Sequence, residues 1–373
     1  TLIHSNHRFS YEDAQAVLEG AEHEYSAPLL KLNELAYKLR AQRYKKGAIN
    51  FETVEVKFKL DEDGVPIGVY VKERKDSNML IEDFMLLANR LTAEFMSTRK
   101  LRGAPHPFVY RVHDLPNEDK IEDLKLMAGA FGYKLNTDTP DQIAKSFNKM
   151  MDDIKGKPEQ NMLESLAIRT MAKAIYTSEN IGHYGLAFEH YTHFTSPIRR
   201  YPDMLAHRIL ADVLYGEKPR AYKNLESFLK HASEMERSAA EAERTSVKLK
   251  QVEFMSKRLG ETYDGMITGV TQWGMFVEII ENKCEGLVRL TEIPGDTYVF
   301  EEGKHMVRGI NRGKVYKLGD PVKVKAIKAD VRKRQLDYML ADVEDDRGHN
   351  DDADFEQFAP PKKQKSAPRR DRR

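Results

Sequence analysis

The chain has 373 residues, and its 60 basic and 59 acidic side chains leave a net charge of +1. This length allows two or three domains with sizeable cores, and the balanced charge means that any nucleic-acid path needs local segregation of charge. The single cysteine, Cys284, excludes an intrachain disulfide framework and indicates a reducing compartment. No apolar run approaches the roughly 18–20 residues of a membrane span, and no signal peptide is evident, which predicts a soluble, cytoplasmic protein without a membrane partner.

The first hundred residues predict helices that flank one β-hairpin. Ser10 is a favourable N-cap, and charged and apolar residues alternate before the turn at Asp61-Glu62-Asp63-Gly64. The predicted elements are a helix over Tyr11–Leu18, a helix that ends near Gly47, strands over Val54–Leu60 and Ile67–Val71, and a helix over Met79–Met96.

The region from residue 117 to residue 259 is mainly helical in pattern. The predicted helices are Ile121–Phe131, Asp141–Met151, Met162–Ile175, one from Pro202 to Gly216 and a long one over Asn224–Leu259, with a loop over Thr177–Thr195. Together with the hairpin, they predict the helix-rich part of an α+β catalytic domain.

Two arginines stand at a turn that opens the helix after Pro202. Ser196 is suited to cap this turn, and Pro197 fits a first helical position. Arg199 and Arg200 are therefore predicted at the positive end of a helix, where backbone N–H groups and guanidinium groups can bind the same phosphate. The simpler alternative is that the arginines pair with carboxylates, and an isolated Ser-Pro-x-Arg-Arg string favours that alternative.

From Gly260 the periodicity changes from helical to strand-like and remains so to about residue 342. The predicted strands are Tyr263–Ile267, Met275–Ile279, Glu285–Val288, Pro321–Ala326 and Arg334–Leu340. Five short strands over this length are typical of a small all-β barrel such as the OB fold.

The carboxy-terminal segment from 343 to 373 is first acidic and then basic. Aspartates dominate from Asp345 to Asp354, and lysines and arginines dominate from Lys362 onwards. Blocks of like charge without apolar periodicity predict a disordered tail, for which solvation is favoured over RNA contact.

The string from His193 to Asp203, His-Phe-Thr-Ser-Pro-Ile-Arg-Arg-Tyr-Pro-Asp, with the following His207-Arg208, closely resembles the signature of the ribonuclease II and ribonuclease R family. The pattern Gly260-x-Thr-Tyr-x-Gly265, with Trp273-Gly274-x-Phe276-Val277, resembles the S-one type of OB-fold RNA-binding domain. The resemblance covers residues 1 to 342. It implies an RNB catalytic domain over 1–259, an S-one barrel over 260–342 and the tail over 343–373.

The resemblance implies a processive exoribonuclease that hydrolyses single-stranded RNA from its 3′ end to nucleoside 5′-monophosphates with Mg²⁺. Structured RNA with a 3′ overhang is a further expected partner, and the protein is expected to be a monomer. The Arg-Arg-Tyr-Pro form of the signature and the basic tail favour ribonuclease R over ribonuclease II.

The resemblance also assigns roles to residues near the cut site. It implies that Arg199 contacts the scissile phosphate and is catalytic, while Arg200 anchors the phosphate or the turn. Tyr11 and Phe51 match aromatic residues that stack on terminal bases, and Glu82 matches the glutamate that contacts the last ribose, a contact that distinguishes RNA from DNA. Taken alone, Phe51 is as well explained as a core residue and Glu82 as a partner of its helix dipole.

Three further residues match the family pattern. Glu243 resembles a glutamate of the family's long last helix near the catalytic end, although a surface ion pair also explains it. Trp273 and Phe276 offer flat faces for bases, and the alternative is that either one fills the barrel core. Weaker or supporting candidates are Tyr298, Phe300, His305 and the cations Lys325, Lys328, Arg332, Lys333 and Arg334.

The metal-binding carboxylates of the family are not found in this sequence. Phosphodiester hydrolysis needs an activated water and a neutralised phosphate, and the family supplies both through an Asp-x5-Asp-x-Asp-Asp set. Asp152-Asp153 and Asp351-Asp352 are only adjacent pairs. The set is therefore expected upstream of Thr1, in an enzyme of which this chain is the carboxy-terminal portion. The histidines around the signature, His183, His190, His193 and His207, lack zinc-site spacing.

Two other classes of function remain open on the sequence. A non-catalytic RNA-binding fragment or degenerate paralogue would explain the missing aspartates, whereas the retained Arg199, Tyr11 and Glu82 favour a part of an active enzyme. A translation-associated factor would explain residues 260–342 and leave the signature unexplained.

Overall fold

A computed structural model describes residues 2–50, 55–72, 74–157, 159–216, 224–301 and 306–341. The predictions for Phe51, for His305 and for the tail fall outside the described residues. Across the described residues, the helix-rich part is mixed α and β and the part that follows is an all-β barrel, as the sequence predicts.

The amino-terminal helices begin close to their predicted positions. Ser10 caps the first helix, because its Oγ accepts a hydrogen bond from the N–H of Asp13 at 3.0 Å. The elements are α1 (Tyr11–Leu18), α2 (Ser26–Lys45), the antiparallel strands β1 (Glu55–Leu60) and β2 (Pro66–Lys72), and α3 (Asp76–Ser97).

The middle of the chain differs from prediction at one helix end. Helix α6 ends at Thr170 because Met171 adopts extended backbone angles, and the strand-favouring residues from Ile175 pair with Tyr110–Val112. The predicted helix over Met162–Ile175 is therefore wrong beyond residue 170. The elements are β3 (Lys100–Leu101), β4 (Ala104–Pro105), β5 (Tyr110–Val112), α4 (Glu118–Ala130), α5 (Pro140–Ile154), α6 (Gln160–Thr170) and β6 (Ile175–Thr177).

Helices α7 (Tyr201–Tyr215) and α8 (Leu225–Ser256) complete the helical part. The first turns of α8 bury Leu225 and Leu229 in a core shared with α7 and β5. Its last turns bury Val252 and Met255 in the barrel core. At 1.5 Å per residue, α8 spans about 48 Å and connects the two cores.

Five strands close into a barrel in the order β13-β14-β9-β8-β7. A separate three-stranded sheet, which the sequence pattern did not reveal, lies between β9 and β13 in the chain. The strands are β7 (Thr262–Thr271), β8 (Gly274–Ile279), β9 (Glu285–Arg289), β10 (Tyr298–Glu301), β11 (Met306–Gly309), β12 (Val315–Lys317), β13 (Pro321–Asp330) and β14 (Gln335–Leu340).

The barrel packs directly on the helical part. Met266 and Leu318 of the barrel side are buried in the core of α4, α5 and α6. Gly319 approaches so closely that an added Cβ would lie 2.7 Å from the Phe131 ring and 3.0 Å from Met162 Cε. Among the described residues, no helix combines the length and apolar character needed to cross a membrane.

Candidate functional site

The signature loop, residues 191–200, ends in a tight turn over residues 196–200, just before α7. The N–H groups of Arg199 and Arg200 donate to the carbonyl oxygen of Ser196 at 3.3 and 3.0 Å. Helix α7 then starts at Tyr201, with Pro202 in its first turn. The prediction that Ser196 caps and Pro197 starts a helix is wrong, because the buried carboxylate of Asp203 reaches back and accepts the Ser196 N–H at 2.7 Å.

The two arginines of the loop have different surroundings. The Arg200 side chain is 18% exposed and pairs with Asp203 at 2.8 Å, which leaves it holding the turn together. The Arg199 side chain is exposed at the amino end of α7. Its guanidinium group therefore remains available to an anion, at a helix end whose dipole also favours negative charge.

A buried network of imidazole and phenol groups supports the loop. The His193 Nδ1 and the Tyr176 hydroxyl are 2.7 Å apart, and the guanidinium of Arg111 lies over the Tyr176 ring. Burial, reinforced by Arg200 and Arg111, lowers the pKa of His193 to about 2, and burial raises the pKa of Tyr176 to about 12. Both groups therefore stay uncharged at neutral pH.

The network continues from the loop to the wall of a cavity. His183 contacts Tyr191 edge to face at 5.2 Å between ring centroids and stacks on His113 at 5.0 Å. Burial, with the neighbouring His113, lowers the pKa of His183 to about 3. His113 and His183 both line a cavity of about 1220 Å³, which we call the inner cavity.

The inner cavity is strongly basic. Two carboxylates, Glu82 and Asp123, face six cations in its lining. Glu82 forms an ion pair with Arg74. A concave surface lined by one sign of charge concentrates ligands of the opposite sign. The six cations are Arg43, Arg74, Lys120, Arg169, Lys173 and Arg244.

A second cavity of about 1190 Å³, the outer cavity, lies between the β1–β2 hairpin, α8 and the barrel. Glu243 lines the outer cavity, and Lys333 and Arg334 contribute from the loop between β13 and β14. Arg244 lines both cavities, so the two spaces meet at this residue of α8. The barrel bounds the outer cavity, and Glu82 lines the inner cavity.

The two predicted barrel aromatics lie outside the barrel core. Trp273 is 72% exposed at the turn between β7 and β8. Along β8, Met275 and Val277 are buried in the core, so the alternation of a strand turns Phe276 outward, where its ring packs over Gly269. The alternative that either aromatic fills the core is wrong.

The structure brings some predicted site residues together and leaves others apart. Glu82 lines the inner cavity and Glu243 the outer cavity, whereas Arg199 lines neither. Tyr11 is half exposed at the first position of α1. The position of Phe51 lies outside the described residues. Arg244 is missed by sequence reasoning because only the fold brings cations from α2, α4, α6 and α8 together.

The described residues contain few clustered oxygen ligands of the kind that a divalent cation needs. Phosphoryl chemistry with Mg²⁺ requires several clustered oxygen ligands. Among the described ranges, no group of three or more histidine, cysteine, aspartate or glutamate side chains is arranged to hold a metal ion. The described residues therefore offer no complete set of side-chain ligands for a magnesium ion.

Comparisons with known proteins agree with the two-part architecture. The RNB domain family model matches residues 1–216, and the S1 RNA binding domain model matches residues 256–339. Ribonuclease R of Aquifex aeolicus (strain VF5) is 39% identical over 351 residues, which cover 91% of this chain and 49% of the relative. The chain spans about half the length of the curated relatives that it matches.

Solved structures give the same result. The apo form of Mycoplasma genitalium RNase R superposes with a TM-score of 0.82 at 29% identity, covering 89% of this chain and 53% of that chain. The same protein in complex with ribose methylated single-stranded RNA matches with the same TM-score. Yeast Ssd1, a pseudonuclease, shares the fold at 22% identity, with a TM-score of 0.60 over 80% of this chain and 37% of its own.

The residue evidence and the comparisons converge. The signature loop lies within the region that the RNB model matches, and the barrel with outward Trp273 and Phe276 lies within the S1 match. Because the RNB model covers more than half of the 373 residues, this chain belongs to the RNB domain family, together with the ribonuclease R proteins that it resembles.

Proposed function

We propose that this chain serves in the 3′-to-5′ hydrolysis of single-stranded RNA to nucleoside 5′-monophosphates. The observation that carries the proposal is the pair of cavities that share Arg244, one bounded by the barrel and the other lined by Glu82 and six cations. Cations along a groove bind the backbone of a single strand, and aromatic faces stack its bases. Membership of the RNB family and the ribonuclease R relatives support the same activity.

In this proposal, each predicted residue has one task. Trp273 and Phe276 stack bases at the barrel, and Tyr11 and Phe51 stack the terminal bases. Glu82 accepts a hydrogen bond from the last ribose, which favours RNA over DNA. Arg199 binds the scissile phosphate and also stabilises the charge that develops on it during hydrolysis.

The remaining tasks belong to the loop, to α8 and to the complete enzyme. Arg200 holds the signature loop through its ion pair with Asp203. Glu243, on α8, faces the RNA strand in the outer cavity. The magnesium that the family resemblance implies stays a prediction, with its aspartates expected outside this sequence. RNA with a 3′ overhang, a monomeric state and a cytoplasmic location are further predictions.

The test is incubation of the chain with 5′-labelled single-stranded RNA and Mg²⁺, followed by measurement of both retention and shortening. We expect Arg199→Ala to weaken retention at least tenfold, because a charge-assisted phosphate contact is lost. Arg102→Ala, which removes an exposed arginine at the β3–β4 turn, is the matched control and retains RNA like the wild type.

Retention and shortening report on different parts of the proposal. Binding without shortening supports an RNA path whose metal ligands lie elsewhere, or the alternative of a non-catalytic RNA-binding protein. Stepwise shortening that EDTA and Arg199→Ala both abolish shows that this chain supplies the metal ligands, contrary to our prediction. Retention that Arg199→Ala leaves unchanged contradicts the phosphate role.

A further inference from the structure

A buried asparagine contacts the signature loop from another part of the chain. Asn89 lies on α3, is 3% exposed and makes three hydrogen bonds through its side chain. Its Oδ1 accepts the N–H groups of Phe194 at 2.9 Å and Thr195 at 3.2 Å. Its Nδ2 donates to the Tyr191 hydroxyl at 3.1 Å. One amide group thus holds both ends of the five-residue stretch from Tyr191 to Thr195.

The orientation of this amide is determined by its partners. Backbone N–H groups only donate, so the oxygen of Asn89 must face Phe194 and Thr195, and its NH₂ group must face Tyr191. A side chain of this size needs an acceptor on one side and a donor on the other to satisfy the buried site. Apolar replacements leave two buried N–H groups without a partner, which is costly.

The contacts of Asn89 combine with two others to fix the approach to Arg199. His207 stacks on Phe194 at 3.9 Å between ring centroids, and its Nε2 lies 2.7 Å from the Phe194 carbonyl oxygen. Asp203 holds the next turn through the Ser196 N–H. His207 and Asp203 belong to α7, whereas Asn89 is 105 residues from Phe194 in the chain and is the contact from α3.

Helix α3 also carries Glu82, seven residues before Asn89. Residues seven apart lie on the same side of a helix, two turns from each other. Glu82 lines the inner cavity, while Asn89 lines neither the inner nor the outer cavity. Helix α3 therefore sets the spacing between the carboxylate in the cavity and the loop that presents Arg199.

We propose that Asn89 is a positioning residue that holds the signature loop in the conformation in which Arg199 meets the RNA phosphate. The effect on RNA binding rests on the proposed function of Arg199. The claim that Asn89 holds the loop through hydrogen bonds does not depend on that function. Asn89 itself makes no contact with RNA and acts through Phe194 and Thr195.

The test compares Asn89→Leu, Arg199→Ala and the double variant for affinity toward 5′-labelled single-stranded RNA. We expect Asn89→Leu to weaken binding at least fivefold. We also expect the double variant to bind within twofold of Arg199→Ala, because one effect operates through the other. Multiplying effects, or an Asn89→Leu variant that binds within twofold of the wild type, would overturn the proposal.

Two further variants separate positioning from general destabilisation. Phe147→Leu, a substitution at a fully buried core position of α5, should lower stability and leave RNA affinity unchanged. If Asn89→Leu does not fold, Tyr191→Phe removes only the hydroxyl that orients the amide, and we expect a two- to threefold weaker affinity. An unchanged affinity of a folded Tyr191→Phe then counts against the proposal.

Hydrogen–deuterium exchange gives a readout that does not depend on RNA. The peptide covering residues 192–198 should exchange faster in Asn89→Leu and Tyr191→Phe than in the wild type and in Phe147→Leu. If exchange is faster in these variants but Arg199→Ala leaves RNA binding unchanged, the function proposed for Arg199 is wrong. The contact of Asn89 with the loop is then still supported. Unchanged exchange in both variants refutes the positioning contact.

Discussion

Single buried side chains define the site at the residue scale. Asp203 is fully buried and accepts hydrogen bonds from the Ser196 N–H and from the Arg200 guanidinium. The sequence shows Asp203 as part of the signature, so its proximity to Arg200 is predictable from α-helical spacing. The contribution of Asn89 is not predictable in the same way, because a lone asparagine in an amphipathic helix carries no pattern.

We predict that Asp203→Ala lowers the free energy of unfolding by about 3–5 kcal/mol, because it leaves the half-buried Arg200 cation and the Ser196 N–H without partners. The double variant Arg200→Met/Asp203→Leu should lose less, since it removes the charge together with its partner. Urea unfolding monitored by circular dichroism measures both. A double variant that is less stable than Asp203→Ala contradicts this account.

The buried histidines predict a loss of stability in acid. The folded-state pKa values of His183 and His193, about 3 and about 2, lie below the ordinary value of 6.5. Unfolding therefore takes up protons below pH 6.5, and stability that is fully present above this pH is lost as the pH falls. Well below pH 6.5, two such groups give a limiting slope of about 3 kcal/mol per pH unit.

Urea unfolding at a series of pH values between about 6.5 and 4.5 measures this slope. His193→Gln should roughly halve the histidine contribution, because one of the two groups no longer binds a proton. His4→Gln, at an exposed position, is the matched control and should leave the slope unchanged. Equal slopes for His193→Gln and the wild type exclude this explanation.

At the scale of elements, the sequence predicts most helices and the five barrel strands because their periodicities are long or regular. It fails where strands are three or four residues long, as in β6 and in the sheet of β10, β11 and β12. Such short strands are defined by their partners rather than by their own pattern. Tyr176, for example, is paired with Arg111, 65 positions earlier in the chain.

Glycine in β9 provides a test of barrel packing. An added Cβ at Gly286 would lie 2.5 Å from the ring of Tyr338, a fully buried side chain. We predict that Gly286→Ala destabilises the protein by about 1–3 kcal/mol through overpacking. Gly129→Ala, in α4 with nothing within 4 Å, makes the same chemical change and should stabilise the protein by up to about 1 kcal/mol. Thermal unfolding of both variants measures these changes. Equal losses of stability in the two variants would contradict the overpacking explanation.

At the scale of the whole molecule, the sequence predicts that a helix-rich part is followed by a barrel. It does not predict the cavities that lie next to these two parts. The near-zero net charge conceals the inner cavity, four of whose six cations come from four separate helices. Such a cavity exists only after folding has brought α2, α4, α6 and α8 together. The same holds for Arg244, whose place at the junction depends on the direction of α8.

We predict that Arg244→Ala weakens RNA binding and reduces the slope of log affinity against log salt concentration by about 0.7, the value for one phosphate contact on a single strand. Arg244→Lys should retain the slope because it keeps the charge. Binding measured at several salt concentrations gives both values. A slope that Arg244→Ala leaves intact shows that the strand does not pass the junction of the two cavities.

The close approach of Gly319 to Phe131 and Met162 holds the barrel against α4 and α6. We expect this contact to keep the separation between Trp273 and Glu82 constant when a ligand binds. On the proposed function, this separation sets a minimum length for an RNA strand that reaches both residues. Oligonucleotides below the length that joins these two residues engage one end only, and affinity should rise in a step, rather than gradually, once that length is reached.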